Sequence, residues 1–552
     1  MSPVADYVIV GAGTAGCLLA NRLSADPRVR VALIEAGGPD RNPWIRVPAG
    51  YLHLIANPTT DWCFETAAQP WLGGRRMPCP RGRTLGGSSA INAMIYMRGH
   101  QANYDAWAHA GAAGWGWQDV KKYFLRHEDH HLQAPCHATG GELRVEPQRV
   151  SWPVLDACLR GLHDLGVPPT PDFNTGDNTG AGYFSVTQRR GRRVSAAHAF
   201  LHPVRRRANL VVATGTQACA LELEGRRVTG VRVAGPDGFE TWHARAEVIL
   251  AAGAIGTPHL LQLSGIGDPE ALRDVGIAPT HTLPGVGRNL IDHLQIRTMF
   301  RVSGTPTLNT LAGTWPGRAR IALDYALRRR GPLTMAPSQA GAFLHSGLSG
   351  HGAGAAPDIH VNLQPLSLDQ FGAPLHPFPA ITVSLATVQP DSRGHVAACS
   401  PNWRDAPRID PGYLGATTDR ARACWSVGFA RRLMAAAALR PFAPREHLPG
   451  LEKSAGADSD AGLLDAAATH AAPLFHPCGT ARMGTDPAAV VDPALRLRGI
   501  GGLRIADASV IPLPVSSGLA APVMMIAERL SEMIRDERRP AGNRERRNVM
   551  TP

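Results

Sequence analysis

The sequence predicts an α/β protein opening on a Rossmann-like, dinucleotide-binding unit, and three observations predict it. An apolar strand at residues 6–10 runs directly into the glycine-rich stretch Gly11–Gly16. A helical stretch follows through Leu23. A second apolar strand, Val29–Ile34, then ends at Glu35. Strand, helix and strand within about thirty residues make a βαβ unit, whose crossover helix covers a parallel sheet.

The later elements follow the same logic of periodicity and punctuation. Residues 39–80, rich in Pro, Trp and Gly, read as an extended excursion, and Trp152 to Gly166 as an amphipathic helix. Asn209–Ala213, Ala220–Leu223 and Val228–Val233 are short strands, the last two separated by Glu224-Gly225. Glu247–Leu250 is another apolar strand, feeding Ala251-Ala252-Gly253. Residues 300–460 alternate strands such as Ile381–Leu385 with Arg- and Ala-rich helices such as Ala421–Leu439. Residues 520–534 form a closing helix, and the charged tail from Arg535 reads as disordered.

Composition narrows the function classes. With 552 residues, 44% hydrophobic and 18% charged, and mean hydropathy −0.12, the chain can bury a large core, which excludes global disorder. No apolar run reaches the length of a membrane span, and the strand at Tyr7 leaves no room for a signal peptide. Fifty-seven basic against 45 acidic residues give +12, but almost all the basic residues are Arg, spread along the chain with no nucleic-acid motif. A solvated basic surface is the expectation, with weak peripheral attraction to anionic lipid as the alternative. Nine cysteines without a C-x-x-C pair argue against zinc and a disulfide framework, and point to a reduced, soluble, cytoplasmic protein.

Gly11-Ala12-Gly13-Thr14-Ala15-Gly16 sits between strand and helix, where each glycine has a task. Gly11 permits the turn, Gly13 admits a pyrophosphate to the backbone, and Gly16 lets helix and strand pack closely. The anion then rests on the helix N-terminus. Glu35 stands where a carboxylate binds a ribose diol and repels a 2′-phosphate. NAD and FAD both remain open on this unit alone.

Two further loops carry the reading past that ambiguity. Gly82-Arg83-Thr84-Leu85-Gly86-Gly87-Ser88-Ser89-Ala90-Ile91-Asn92 crowds backbone N–H groups into a small space, and Gly253–Pro258 with Ser264–Gly267 also brings backbone close to a ligand. Together with Val286–His293 and Gly502–Ser509, they resemble in order the motifs of the glucose–methanol–choline (GMC) oxidoreductases, closest to bacterial choline-dehydrogenase-like and aliphatic alcohol dehydrogenases.

That resemblance implies an FAD domain (1–160, 196–300 and 461–534) interleaved with a substrate domain on an antiparallel sheet (161–195 and 301–460), before a tail at 535–552. It implies that Gly11–Gly16 hold the FAD pyrophosphate and Glu35 the adenosine ribose. Arg83, Leu85, Gly86, Gly87, Ser88 and Asn92, with Ala93 and Met94, would lie against pyrophosphate and flavin. Ala218 would meet the adenine, Ala252 and Gly253 the nucleotide, Asp507 and Ala508 the ribityl chain and phosphates, and Pro522 and Val523 the flavin end. Some members attach FAD through a His before the loop Asn; Ile91 stands there, so non-covalent FAD is expected.

Phe475-His476-Pro477-Cys478-Gly479-Thr480 resembles the family's catalytic motif, with His476 as the base that takes the hydroxyl proton of a primary alcohol while hydride passes to flavin N5. An imidazole suits that role near neutral pH. Quinone, another acceptor or O₂ would reoxidise the flavin. The family's second catalytic residue, Asn or His, falls on Ala520, which cannot hydrogen-bond an alkoxide. Three accounts stay open: another side chain supplies the contact (His470, Ser516 and Ser517 being nearest in sequence), His476 acts alone, or alcohol oxidation is lost. The last admits a hydroxynitrile lyase-like or fatty-acid photodecarboxylase-like enzyme, or an FAD-binding protein with little turnover. No metal is expected. Cys478 is read as a spectator thiol. No cage for a choline-like cation is legible.

Overall fold

In a computed structural model, residues 3–348, 354–369, 373–450 and 459–539 are described. Two seven-stranded sheets organise them. The first contains β1 (Val4–Val10), β2 (Val31–Glu35), β3 (Leu210–Thr214), β4 (Gln217–Glu224), β5 (Arg227–Gly235) and β6 (Gly238–Leu250) in the order β3-β2-β1-β6-β5-β4. Leu503–Ile505 also pairs with β6. β1 lies parallel to both β2 and β6, so Val10 meets Ile34 on one side and Leu250 on the other. Buried between two neighbours, the runs Tyr7–Val10 of β1 and Val31–Ile34 of β2 are continuously apolar rather than alternating. Helices α1 (Thr14–Leu23) and α2 (Gly253–Leu263) pack on this sheet, and α3 (Ala520–Arg538) packs on α1 to close the first core.

The second sheet is antiparallel. Its centre is β7 (Leu294–Arg301), β8 (Ala340–Leu344), β9 (Ile359–Gln364) and β10 (Ala380–Thr387), in the order β7-β10-β9-β8. Gly180–Tyr183 flanks β8, and Arg445–Leu448 and Ala471–Pro473 flank β7. One face carries Ile359, Val361, Leu363, Ile381, Val383 and Leu385, which pack with the helices Pro153–Asp164 and Thr417–Met434 into a second core. The other face, formed by the alternate positions, carries Gln295, His360, Asn362 and Gln364 and turns toward the first sheet. The strands stay buried, but this face is polar.

Some boundaries differ from the sequence reading. β6 begins nine residues before Glu247 because it forms a hairpin with β5, and its charged outer positions hide the strand from an apolar scan. The 39–80 excursion contains short 3₁₀ turns and the two-residue pair Phe64–Glu65 with Pro78–Cys79. The helix expected at Ala421–Leu439 runs Thr417–Met434, and a tight turn through Pro441 follows it. α3 continues to Arg538 rather than ending at 534, because Glu537 bonds Arg496 and Arg504 back to the first sheet. The rest of the expected disordered tail, from 540, lies outside the described residues. Among the described residues no helix is long and apolar enough to cross a membrane.

A buried ionic knot ties the segment leading out of the glycine loop to the stretches that carry Glu128, His137 and Asp172. The Arg98 guanidinium donates to both Glu128 oxygens (2.7 and 2.8 Å) and to the Cys136 and Asn174 carbonyls. His137 bridges Glu128 to Asp172. Burial alone would raise the Glu128 carboxyl, but His137 and Arg98 outweigh it and hold it at about 2. Removing one partner strands a buried charge, so Glu128→Ala should cost on the order of 3–5 kcal/mol. Thermal unfolding checks this, the expected result being a sharply lowered midpoint.

Candidate active site

At the carboxyl end of β1, where the strand order reverses, the backbone leaves a cradle. Gly11 adopts a left-handed φ of +99°, and a Cβ there would stand 2.6 Å from the Ala251 carbonyl. A Cβ on Gly16 would stand 1.9 Å from the Gly11 carbonyl, so α1 can approach β1 only through a glycine. A Cβ on Gly13 would meet nothing nearer than 4.0 Å, and one on Gly253 nothing within 4 Å. Gly11 and Gly16 are needed to fold the turn, whereas Gly13 keeps a space open. Glu35 fixes the turn from below: it accepts N–H bonds from Ala12 (2.9 Å) and Gly37 (2.8 Å). Burial pushes its carboxyl up to about 7 despite those donors.

From this cradle a cavity of about 1390 Å³ extends between the two sheets. Gly11, Gly13, Thr14, Ala15, Glu35, Arg83, Gly87, Ser88, Asn92, Ala93, Met94, Ala218, Ala252, Gly253, Asp507, Ala508, Val523 and His476 all line it. Ala12, Gly16, Leu85, Gly86 and Pro522 do not; their place is behind the wall. The Ala12 carbonyl accepts the Gly86 N–H (2.8 Å), which joins the two glycine loops, and Leu85 is fully buried in the first core. Pro522 is buried in the first turn of α3. Asp507 lines the cavity while bonding Gly253 N–H (2.8 Å), the Thr257 hydroxyl (2.6 Å) and Ser509 N–H (2.8 Å).

At the far end stands His476. Its backbone N–H donates to Asp292 (2.7 Å), a buried carboxylate that also takes the His293 N–H (2.9 Å) and the Tyr413 hydroxyl (2.6 Å). The Nδ1 atoms of His293 and His476 share one hydrogen bond of 3.1 Å. When His476 is the donor, its Nε2 presents a lone pair. Nε2 lies toward Gly518, 3.3 Å from where a Cβ would stand, and is otherwise unbonded among the described residues. Burial, reinforced by His293 and His360, pushes the imidazole pKa well below 6.5, so His476 is neutral at physiological pH.

Ala520 lines the cavity, but its expected substitutes do not: His470, Ser516 and Ser517 all lie outside the wall. Ser516 is buried and bonded to Asn103 (2.8 Å), and Ser517 donates to the Gly518 carbonyl. Beside His476, the second sheet and the chain leading into it add further polar groups to the cavity wall. His360 accepts at Nδ1 from Asn362 (3.4 Å), leaving N–H on a buried Nε2 without a partner, and its ring stacks on Phe343 at 4.1 Å. Gln295, Ser338 and Gln364 stand beside it. Their signal was the alternating polar series His360, Asn362, Gln364 within an apolar strand. Arg193, fully buried, was also missed; it anchors Asn92 through the Asn92 carbonyl and Oδ1 (2.7 and 2.8 Å). Cys478 is buried outside the cavity wall with its thiol pKa pushed up by burial, which leaves it inert.

The N-terminal domain of the GMC oxidoreductase family matches residues 5–295, and its C-terminal domain residues 390–527. The chain belongs to the GMC oxidoreductase family. It is 38% identical over 534 residues to an alcohol dehydrogenase [acceptor] of Pseudomonas putida, covering 96% of this chain and 95% of the relative. An oxygen-dependent choline dehydrogenase of Brucella anthropi is 36% identical with the same coverage. The solved pyridoxine 4-oxidase from Mesorbium loti matches with a TM-score of 0.85 at 34% identity, covering 96% of this chain and 99% of that one. The chain is therefore an FAD-dependent oxidoreductase, and the lyase-like, photochemical and low-turnover alternatives are not favoured. The residues fit the cofactor: the cavity exceeds the roughly 300–1,000 Å³ of most small-ligand sites and starts in a glycine cradle with open backbone.

The two kinds of glycine predict opposite failures. Gly13→Val should fold but lose FAD, because its side chain fills cradle space rather than protein. Gly16→Ala should lose stability first, because its methyl meets the Gly11 carbonyl. Flavin absorbance of the purified variants, set beside their thermal unfolding, separates the two.

Proposed function

We propose that this enzyme oxidises an uncharged primary alcohol to its aldehyde, with His476 Nε2 as the base. The observation that carries the reading is the Asp292–His293–His476 arrangement. It fixes the imidazole from its backbone and from Nδ1, and keeps Nε2 neutral toward the cavity. Bound FAD supplies the oxidant, a two-electron acceptor for the hydride equivalent of the alcohol carbon. The protein does the rest. His476 takes the hydroxyl proton. The unpartnered Nε2–H of His360 supports the alkoxide oxygen in place of the family's Asn or His, so Ala520 is compensated from the opposite sheet. The wall that β9 supplies beside the histidines, His360, Asn362 and Gln364, is neutral, which favours an uncharged substrate over a choline-like cation.

The cradle residues Gly11, Gly13, Thr14 and Ala15, the loop residues Arg83, Gly87, Ser88, Asn92, Ala93 and Met94, and Ala252, Gly253, Asp507 and Ala508 would hold the cofactor, with Glu35 toward the adenosine ribose and Ala218 toward the adenine. Attachment would be non-covalent, since Ile91 offers no nucleophile. The relatives' names point to two electron sinks, an unspecified acceptor for the Pseudomonas protein and oxygen for the Brucella one. Quinone, another acceptor or O₂ serves as the sink here. Nine unpaired cysteines support a cytoplasmic location.

Anaerobic mixing of the flavin-loaded protein with a panel of alcohols tests this reading. A primary alcohol should bleach the flavin band and choline should not; a band that no alcohol bleaches rejects it. His476→Ala should keep FAD and lose on the order of 10²–10⁴-fold in reduction rate. The base acts only when neutral and its pKa is depressed, so reduction should fade only as pH drops below 6.5. An acid limb centred at or above that value would exclude His476.

A further inference from the structure

The helix Trp315–Arg328 turns its apolar side outward. Trp315 is 80% exposed, Leu323 59% and Leu327 74%. Ala319, Ala322 and Ala326 are exposed with them, on the same side at helical spacing. The opposite side does the packing: Tyr325 is buried with its hydroxyl on the Gly191 carbonyl (3.2 Å), and Ile321 is half-buried. An amphipathic helix of a globular protein ordinarily buries its apolar stripe, whereas this one points to water.

The charges around the stripe state what would cover it. Arg318 and Arg320 flank it on either side, and Arg328, Arg329 and Arg330 gather at its C-terminal end. The helix's one acidic residue, Asp324, lies on the far side, 3.8 Å from Arg328. A Trp- and Leu-bearing face bordered by arginines matches a bilayer interface, where indole and leucine enter the headgroup boundary and guanidinium groups meet phosphate. The chain's +12 charge adds long-range attraction to such a surface. A second copy fits less well, because a two-fold contact would bring the same arginines face to face.

We propose that this helix docks the enzyme on an anionic phospholipid surface, with Trp315, Leu323 and Leu327 inserted and the arginines among the lipid phosphates. From its C-terminal end the chain runs through the short turn Pro332–Thr334 into Pro337 and Ser338 of the cavity wall, so the docked helix is joined closely in sequence to the site. The docking does not depend on which alcohol the cavity takes.

The test is co-sedimentation of the flavin-loaded, full-length protein with vesicles of phosphatidylcholine alone and of phosphatidylcholine mixed with phosphatidylglycerol. Binding should require phosphatidylglycerol and weaken with salt. The double variant Leu323→Glu/Leu327→Glu should lose at least about tenfold in vesicle partition, with unchanged thermal unfolding and unchanged anaerobic flavin reduction. The docking surface is overturned if the parent protein ignores anionic vesicles, or if the double variant binds them equally well. It is likewise overturned if the double variant merely dissociates a parent oligomer that never bound vesicles.

Discussion

Everything in this fold rests on backbone meeting backbone where side chains would forbid it. A Cβ on Gly82 would stand 2.2 Å from Gly87, one on Gly37 2.0 Å from the Arg83 carbonyl, and one on Gly87 2.7 Å from the Gly13 Cα. Three loops far apart in sequence therefore touch through bare main chain, held by the Gly86-to-Ala12 hydrogen bond and by Glu35 beneath. The cavity exists because those contacts are tight on one side and leave Gly13 and Gly253 uncrowded on the other. A nucleotide's phosphates need such a surface, since amide N–H groups point outward where no Cβ stands in the way.

The catalytic end uses the opposite strategy. Here side chains are buried at a cost, offset around Asp292 by a full set of hydrogen bonds. Asp292 gives up solvation but accepts from Tyr413 and two backbone N–H groups, one of them belonging to His476. That one carboxylate sets the position of His476, and His293 fixes its ring. The site thereby joins β7, which leads out of His293, to the segment before Cys478, whose backbone pairs with Ile291. Both sheets contribute, so a rigid seam between them is a condition for chemistry. The Arg193–Asn92 bonds and the buried Arg98–Glu128 pair stiffen the end of the glycine loop and the chain that leads out of it.

The sequence by itself determined the first sheet's opening and, through several motifs in order along the chain, the family resemblance that implied FAD and pointed to His476. The signals of that opening are local: a strand, a turn and a helix are short-range objects, and Gly11, Gly16 and Glu35 all lie within one βαβ unit. The charged outer positions of β6 hid its full length, because a hairpin strand with one wet face lacks an apolar run.

Tertiary structure alone decided what faces the cavity. Ser516 and Ser517 lie nearest Ala520 in sequence yet are spent on Asn103 and on Gly518. His360, more than a hundred residues away in sequence, lines the cavity instead and holds a buried Nε2 without a partner. Which side of β9 is wet depends on strand register against β8 and β10, a non-local pairing that no short motif encodes. The same holds for the helix Trp315–Arg328: its residues alone do not say which side meets water, and only the packing of Tyr325 against Gly191 turned the apolar stripe to solvent.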